Sequence, residues 1–310
     1  MKPIELELDA ETILVTGASG FIGGHLCRSL VSAGHRVVGL CRQHPELLPS
    51  GVIPCTLDIA DPAAIQRLVL REKPAIVFHL ASYVKGGREM ALVRPMFEAN
   101  LAGTVYLMEA AAQAGCRRFI LTGSLEEPED IRTPPSSPYA AAKTAASAYA
   151  RMFHALYGFP AVIARLFMVY GPDQKDQSKL VPYVINALLQ NRSPEMGGGT
   201  RPVDWIYVHD VVDGLLRMAV AEGLDGQTVD LGTGRLETVR GVVERLATLT
   251  GSTVPLLFNP ARDRPMEQVR SADAAATETQ LRWRPPTSLD EGLRATVAWH
   301  RQHPFPAGAL

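Results

Sequence analysis

The chain has 310 residues, 46% of them hydrophobic, and a formal net charge of -1. With no run of five or six like charges, this balance argues against nucleic acid or an anionic membrane surface as the partner. The four cysteines form no CxxC pair, so neither a disulfide framework nor a metal site is predicted. No apolar run reaches the roughly 18 residues of a membrane span. A soluble, cytoplasmic protein is expected.

The first half of the chain alternates short β-rich runs with helical stretches. The predicted strands are 12–16, 36–40, 52–58, 75–81, 118–124 and 161–167. The predicted helices are 21–33, 62–71, 89–114 and one that begins near residue 138. Apolar strands that alternate with helices are typical of a parallel sheet covered on both faces. We therefore predict an α/β fold with a Rossmann-type, doubly wound parallel sheet.

The pattern changes after "YGPD" (170–173), where polar loops separate further helices at 179–190, 209–220, 238–250 and 289–300. Short strands are predicted at 204–208 and 227–232. We predict a dinucleotide-binding lobe over 1–171, to which 203–235 returns. Residues 172–202 and 236–310 are predicted to form a smaller, interwoven substrate-binding lobe. Ligands of such sheets bind beyond the carboxyl ends of the strands, so a cleft between the lobes is the predicted site.

A glycine-rich turn, "VTGASGFIGG", follows the first strand and opens into a helix. Glycines let the backbone turn sharply and approach a pyrophosphate, whose charge is favoured at a helix N-terminus. The spacing is weak evidence alone, and a simple tight turn is the alternative, but the strand–turn–helix context favours a dinucleotide. The predicted contacts are Gly17, Ser19, Gly20, Phe21, Ile22 and Gly23.

The end of the second strand bears on cofactor choice. NAD sites usually place an acid there, whereas this strand ends in Cys41 and Arg42. An arginine can accept the 2′-phosphate of NADP(H), so we predict a preference for NADP(H), with NAD(H) as the alternative. The other interpretation of Arg42 is a solvated surface residue. Asp58 could hydrogen-bond the adenine amine or serve as a helix N-cap or loop acid.

The fourth strand ends in "HLAS", where small residues leave room for a flat ligand. His79 lies inside an apolar strand, so a core or loop-tethering role is favoured over catalysis. The predicted cofactor contacts around this edge are Ile59, Leu80, Ala81 and Ser82.

The segment "SSPYAAAK" combines a helix start with a tyrosine and a lysine four residues apart. At this spacing Tyr139 and Lys143 share one helix face. A nearby ammonium and a positively charged nicotinamide would lower the pKa of the phenol and make it a usable acid/base. Ser124, at the end of the preceding strand, could hydrogen-bond the same substrate oxygen. A chance surface pair is the alternative.

Together, "TGASGFIG", "HLAS", "NLAGT", "YAAAK", "ARLFMVYGP" and "DWIYVHDVV" resemble the extended short-chain dehydrogenase/reductase family. Within it, they resemble the branch of nucleotide-diphosphate-sugar epimerases, dehydratases and 4-ketoreductases, over nearly the whole chain. The resemblance implies a catalytic triad of Ser124, Tyr139 and Lys143, in which Lys143 also contacts the nicotinamide ribose. It implies that Asn100 supports the active site. Phe167 and Val169 are further candidate cofactor contacts.

Two departures from the family pattern concern the substrate. The family's dehydratases place an Asp-Glu pair after the triad hydroxyl, whereas Leu125 and Glu126 stand here. Glu126 and Glu127 are either solvated loop acids or substrate-facing groups. The family's usual Asn in the turn after the sixth strand is Met168. The substrate-binding candidates are Ser124, Glu126, Met168, Lys179, Leu180, Val181, Arg201 and Arg264, of which the two arginines match positions that hold the pyrophosphate.

These features predict an NADPH-dependent reductase of a nucleotide-diphosphate 4-keto-6-deoxysugar, with Tyr139 as the proton donor. The alternative is an NAD-dependent 4-epimerase, since both reactions use the same triad. A 4,6-dehydratase and a non-catalytic dinucleotide-binding protein are less favoured. By family analogy we expect a homodimer built from the segment 89–114 and the helix that carries Tyr139.

Overall fold

The computed structural model describes residues 11–130, 132–263, 266–267 and 269–305. The chain divides into two compact units. The first comprises the chain up to Leu166 together with Val212–Asp230 and Ala275–Trp283. The second comprises Phe167–Val211, Leu231–Ala274 and the chain from Arg284 onward.

Strands and helices are numbered in chain order. The strands are β1 (Thr12–Thr16), β2 (Arg36–Cys41), β3 (Ile53–Thr56), β4 (Ile76–His79), β5 (Arg118–Ser124), β6 (Ala161–Leu166), β7 (Met168–Tyr170), β8 (Glu195–Met196), β9 (Pro202–Tyr207), β10 (Thr228–Leu231), β11 (Leu236–Thr238) and β12 (Leu257–Phe258). The α-helices are α1 (Phe21–Ser32), α2 (Pro62–Glu72), α3 (Val93–Met96), α4 (Gly103–Gln113), α5 (Pro138–Tyr157), α6 (Leu180–Leu189), α7 (Val208–Val220), α8 (Val239–Thr250), α9 (Ala274–Leu281) and α10 (Leu289–Gln302). Within the described ranges, no helix is both long and apolar enough to cross a membrane.

A seven-stranded sheet in the order β10-β6-β5-β4-β1-β2-β3 forms the centre of the first unit. Each neighbouring pair from β6 to β3 is parallel. The chain builds outward from β1 in one direction and from β4 in the other, so the strand order reverses between β1 and β4. Ligands of doubly wound sheets bind at such a switch point, beyond the carboxyl ends of the strands. The predicted α/β Rossmann-type fold is confirmed.

Apolar side chains cover the sheet of the first unit. The strand residues Leu14, Val77 and Phe119 are fully buried. They belong to a core cluster with α2, α4 and α5, including Ile65, Leu68, Leu107, Met108, Ala146 and Ala150. Burial of both sheet faces explains why the strands are continuous apolar runs rather than alternating ones.

Local sequence determines where α5 begins and ends. The Ser137 hydroxyl accepts the Ala140 N–H at 3.1 Å, and Pro138 occupies the first helical turn, where a missing N–H costs nothing. The helix ends at Gly158, whose φ of 64° is the left-handed conformation that glycine tolerates. The cap therefore places Tyr139 and Lys143 in the first two turns of a rigid helix.

The segment predicted as one helix over 89–114 is interrupted. A 3-10 turn at Met90–Leu92 leads into α3, and a π-helical turn at Phe97–Ala102 precedes α4. The buried Asn100 lies within the wide turn and bonds to the loop after β4. Beside it, a Cβ on Gly103 would lie 2.9 Å from Ile59. Long-range contacts thus reshape a segment whose sequence pattern alone is continuous.

The second unit contains a three-stranded sheet, β11-β9-β7, and the parallel pair β12-β8. Its core joins Tyr170, Trp205 and Tyr207 to the apolar faces of α6, α8 and α10. Within this unit the fully buried Asp204 carboxylate accepts the N–H groups of Gly234 and Ala272 at 2.8 and 2.9 Å.

The observed units differ from the predicted lobes. The boundary falls after Leu166 rather than at 171, because β7 pairs with β9 in the smaller sheet. Because β9 belongs to the smaller sheet, the segment that returns to the first unit is Val212–Asp230 rather than the predicted 203–235. The first unit also includes Ala275–Trp283, which was predicted for the other lobe. Isolated strand patterns did not reveal which sheet each short strand would join.

Candidate active site

The glycine turn after β1 is built by close backbone approach. Gly17 has a φ of 69°, and a Cβ there would lie 2.8 Å from the Ala81 nitrogen. A Cβ on Gly23 would lie 2.1 Å from the Gly17 carbonyl oxygen, so α1 packs directly onto the turn. Gly20 caps α1 and remains exposed. These missing side chains leave a cradle of backbone N–H groups at a helix N-terminus, which suits a pyrophosphate.

Ser19, Phe21 and Ile22 are each half-buried around this turn. Their placement beside the glycines is compatible with the predicted dinucleotide contacts. The structure thus brings all six predicted residues of the turn together at the carboxyl end of β1.

The ends of β2 and β3 carry two exposed polar side chains. Arg42 directly follows β2 and has no hydrogen-bond or ion-pair partner among the described residues. Asp58 accepts the Ala60 N–H at 3.0 Å, whereas Asp61 is the N-cap of α2. Of the interpretations left open for Asp58, a loop acid therefore fits and a helix N-cap does not. The adjacent Ile59 is buried.

His79 ends β4 inside a closed hydrogen-bond network. Its Nδ1 lies 2.7 Å from the Thr16 hydroxyl, and its Nε2 lies 2.8 Å from the Thr104 hydroxyl. Thr104 donates its own proton to the Asn100 carbonyl, so it must accept from Nε2–H. Thr16 then donates to Nδ1, and its oxygen accepts the Ala81 N–H at 3.0 Å. Burial, followed by the Lys143 charge, lowers the pKa of His79 to about 3.

This network matches the tethering role favoured for His79. A neutral imidazole with both nitrogens occupied has no free site for proton transfer, so it ties β1, β4 and α4 together.

The loop after β4 is held by Asn100. Its amide oxygen accepts the Tyr83 N–H at 2.7 Å and the Ser82 hydroxyl at 3.1 Å, and its amide nitrogen donates to the Tyr83 carbonyl. Leu80, Ala81 and Ser82 are half-buried along this loop. The geometry suits the supporting role that the family resemblance implies for Asn100.

Ser124, Tyr139 and Lys143 meet where β5 ends and α5 begins. Ser124 is the last residue of β5 and is 7% exposed. The Lys143 ammonium, 4% exposed, lies 6.0 Å from the centre of the Tyr139 ring and donates to the Thr122 carbonyl at 2.8 Å. The three predicted catalytic residues therefore form one cluster between the end of β5, the strand next to β4, and the start of α5.

The protonation of this cluster differs from the expectation for Tyr139. Burial raises the pKa of the Tyr139 phenol well above its ordinary value, and the Glu126 and Glu127 charges add to this rise. Hydrogen bonds from Ser124 and Ser82 act in the opposite direction. The chain's own groups thus give a net rise of the phenol pKa, whereas the predicted lowering included the charge of a bound nicotinamide. Burial lowers the pKa of Lys143 to about 8, and the charge of Glu127 opposes that fall.

Glu126 and Glu127, the two acids that follow Ser124 and Leu125, differ in burial and hydrogen bonding. Glu126 is half-buried, whereas Glu127 is 5% exposed and accepts the Ser124 N–H at 2.7 Å. Leu125 is buried and apolar. The sequence alone allows Glu127 to face either solvent or substrate. A signal in the sequence was Gly123, because a Cβ there would lie 2.7 Å from the Glu127 carboxylate.

The remaining candidates lie in the second unit. Phe167 is buried, and Met168 and Val169 are half-buried at the start of β7. Lys179 and Leu180 are half-buried and Val181 is buried where α6 begins. Arg201 forms an ion pair with Glu267 at 3.0 Å. Arg264, the other predicted pyrophosphate ligand, lies outside the described residues.

Residues 13–232 match the family described as NAD dependent epimerase/dehydratase. A UDP-glucose 4-epimerase of Mycolicibacterium smegmatis is 34% identical, with 93% of this chain and 98% of that protein covered. A dTDP-glucose 4,6-dehydratase of Neisseria gonorrhoeae is 30% identical, with coverage of 94% and 95%. The crystal structure of a UDP-glucose 4-epimerase with UDP-glucose from Thermotoga maritima has a TM-score of 0.87 at 27% identity. The similarity covers 94% of this chain and 99% of that one.

The Rossmann-type sheet, the glycine cradle and the Ser–Tyr–Lys cluster define an oxidoreductase-type enzyme that uses a nicotinamide dinucleotide. The chain belongs to the NAD dependent epimerase/dehydratase family, within the extended short-chain dehydrogenase/reductases.

Proposed function

We propose that this enzyme is a 4-epimerase of a nucleotide-diphosphate sugar. The observation that carries the proposal is the cluster of Ser124, Tyr139 and Lys143 at the end of β5, in the same parallel sheet as the glycine cradle after β1. The near full-length similarity to a UDP-glucose 4-epimerase supports this choice over the reductase predicted from sequence. When bound, the nicotinamide supplies a reversible hydride acceptor.

Each residue of the cluster has a distinct proposed role. Tyr139 takes the proton of the sugar 4-hydroxyl. It returns the proton after the sugar ring has rotated to present its opposite face. Ser124 hydrogen-bonds the same oxygen. Lys143, as a buried ammonium on the same helix face, provides positive charge that favours the phenolate while the proton is on the sugar.

Most of the proposed substrate contacts lie in the second unit, and Glu126 lies in the first. Lys179, Leu180, Val181 and Arg201 are the described candidates to hold the nucleotide diphosphate, and Met168 and Glu126 to face the sugar. Guanidinium groups suit a diphosphate because they form two parallel, charge-assisted hydrogen bonds. Arg201 would exchange its ion pair with Glu267 for this contact.

A 4-ketoreductase that uses NADPH is the second candidate, and Arg42 is the observation that favours it. No acid ends β2, and Arg42 is exposed without a partner among the described residues. Such an arginine is available to a 2′-phosphate. A 4,6-dehydratase has less support, because Leu125 occupies the position of that reaction's acid and is buried.

The test is conversion of UDP-glucose or dTDP-glucose to the C4 epimer by purified protein without added cofactor. Mass spectrometry of the denatured protein then identifies the nucleotide it carries. Epimer formation with protein-bound NAD supports the proposal. No epimer, together with NADPH consumption on a 4-keto-6-deoxy sugar, establishes the reductase instead. Cofactor binding without turnover on either substrate would indicate a non-catalytic protein.

We also propose a homodimer formed through the face of α3, the π-helical turn and α5. An open, mostly apolar groove of about 640 Å³ lies there, lined by Val93, Phe97 and alanines of α5. Val93 and Phe97 are 45% and 53% exposed, which a matching face of a second copy would cover. Sedimentation should show dimer for the wild type and for Leu47→Glu, an exposed control, and monomer for Phe97→Glu. Monomer for all three proteins at micromolar concentration would contradict the dimer.

A further inference from the structure

Glu127 is a buried carboxylate that the roles above leave unused. It is 5% exposed, and a buried carboxylate is costly unless charge and hydrogen bonds compensate it. Its Oε1 accepts the Ser124 N–H at 2.7 Å, and its own N–H donates to the Ser124 carbonyl at 3.1 Å. The acid is thus clamped to the backbone of the residue that ends β5.

The strand leaves room for this acid. A Cβ on Gly123 would lie 2.7 Å from the Glu127 Oε1 and 3.1 Å from Ile163. Gly123 has no positive φ, so its absent side chain matters for space rather than for backbone freedom. The glycine therefore makes the pocket that the carboxylate fills.

The same carboxylate acts on Lys143. That ammonium is 4% exposed and has one hydrogen bond among the described residues, to the Thr122 carbonyl. Both buried groups are anchored on the same stretch of β5, Lys143 on the Thr122 carbonyl and Glu127 on the Ser124 N–H. The Glu127 charge favours the ammonium, and the other titratable groups around it are His79 from β4 and Tyr139 from its own helix. His79 is neutral in its closed network and Tyr139 is a neutral phenol, so Glu127 supplies the compensating negative charge.

We propose that Glu127 is a positioning residue that keeps Lys143 charged and fixes the end of β5 that carries Ser124. It connects two members of the triad without touching the reacting sugar. This inference rests on the proposed function for its kinetic consequences, but its electrostatic part stands on the chain alone. Loss of the negative charge would favour neutral Lys143, so its ammonium would be lost at lower pH.

The direct test measures the protonation of Lys143 without substrate. The 13Cε resonance of Lys143 is followed against pH by NMR in the full-length protein labelled with 13C-lysine, because the resonance reports the charge of the amine without a reagent having to reach it. In Glu127→Gln, which retains an acceptor for the Ser124 N–H, the midpoint for Lys143 should fall by about one pH unit or more. Glu129→Gln, which removes an exposed acid nearby, should leave the midpoint unchanged.

A second variant covers the case in which Glu127→Gln fails to fold. Gly123→Ala places a methyl group against the carboxylate and should displace it, so the Lys143 midpoint falls by a smaller amount. An unchanged midpoint in both folded variants would overturn the proposal.

Measurements of kcat and KM distinguish a failure of the proposed role of Glu127 from a failure of the proposed epimerase function. If the wild type epimerises, Glu127→Gln should lower kcat by about 10- to 100-fold, shift the basic limb of its pH profile down and leave KM nearly unchanged. A merely structural role would lower stability without moving that limb. If the wild type is inactive but the Lys143 titration midpoint still shifts in Glu127→Gln, the proposed function fails and the role of Glu127 stands. If the wild type is active and neither the limb nor the midpoint moves, the role of Glu127 fails alone.

Discussion

The neighbouring strands β4 and β5 both end in buried titratable groups, but their hydrogen bonding differs. At the end of β4, His79 is neutral and both ring nitrogens are occupied by threonine hydroxyls. At the end of β5, Lys143 keeps one hydrogen bond among the described residues, and Tyr139 has a strongly raised pKa. A group whose partners are complete holds structure, whereas a group held in a costly protonation state can exchange a proton when ligands change its surroundings.

The largest effect is expected at Tyr139. Tyr139→Phe removes the hydroxyl that is proposed to carry the proton and retains the ring, so kcat for the proposed epimerisation should fall by about 10²–10⁴-fold. Stability should change little, because the ring remains packed. Turnover within about tenfold of the wild type would show that the β5 cluster does not carry the acid–base chemistry.

A smaller loss of activity is expected for Lys143→Met, which retains length and removes charge. We expect kcat to fall by about 10²-fold, because the phenolate loses its electrostatic support. The stability difference between this variant and the wild type should also depend on pH. Burial lowers the pKa of Lys143 to about 8, below the ordinary value of about 10.4, so the folded chain binds fewer protons between these values. In the wild type, burial of the charged Lys143 lowers the free energy of unfolding by its full amount below pH 8, and this loss disappears as pH rises toward about 10.4. Chemical denaturation at pH 7 and pH 10 measures it, and an equal difference between wild type and variant at both pH values would contradict the assignment.

His79→Phe tests the structural role of the histidine at the end of β4. The free energy of unfolding at pH 7 should fall by about 1–3 kcal/mol, because the two threonine hydroxyls lose a partner. The pKa of His79, about 3, lies below the ordinary value of about 6.5, so the unfolded chain binds more protons between them. Wild-type stability therefore falls as pH falls from about 6.5 toward 3, and the variant should lose less over that range.

The control for this prediction is His44→Asn. His44 is exposed and has a φ of 62°, a conformation that asparagine tolerates, and its partner is the exposed Glu46, whose pKa it helps to lower. Loss of that pair changes stability only in the acid range of Glu46, so the wild-type slope between pH 6.5 and about 5.5 should remain. Unchanged stability in His79→Phe combined with a loss of turnover would instead make His79 part of the chemistry.

The smallest effect is expected for Arg42 at the end of β2, where the substitution tests which cofactor binds. If Arg42 contacts a 2′-phosphate, Arg42→Ala should weaken NADPH binding by about tenfold or more and leave NADH binding unchanged. Fluorescence titration of both cofactors measures this ratio, with the exposed Arg67→Ala as the matched control. A ratio unaffected by Arg42→Ala would remove the structural argument for the reductase.

The sequence predicted the larger sheet, the glycine cradle and the membership of the β5 cluster because these depend on local patterns. Apolar runs mark the parallel strands, and Pro138 with its alanines marks the start of α5. The protonation of the cluster was not predictable in the same way. Whether Glu127 is solvated or buried depends on the space beside Gly123. The raised pKa of Tyr139 depends chiefly on the burial of the phenol itself. The placement of β9 in the smaller sheet and the π-helical turn at Asn100 also depend on contacts between distant segments.

The central claim is that the β5 cluster supports hydride removal and return at C4 of a nucleotide sugar. It is tested most directly with UDP-glucose that carries deuterium at C4, incubated with purified protein and no added cofactor. The account predicts UDP-galactose that retains the deuterium at C4, because the same hydride leaves and returns. Epimer that has exchanged its C4 deuterium with solvent would contradict it, and so would the absence of epimer from protein that carries NAD.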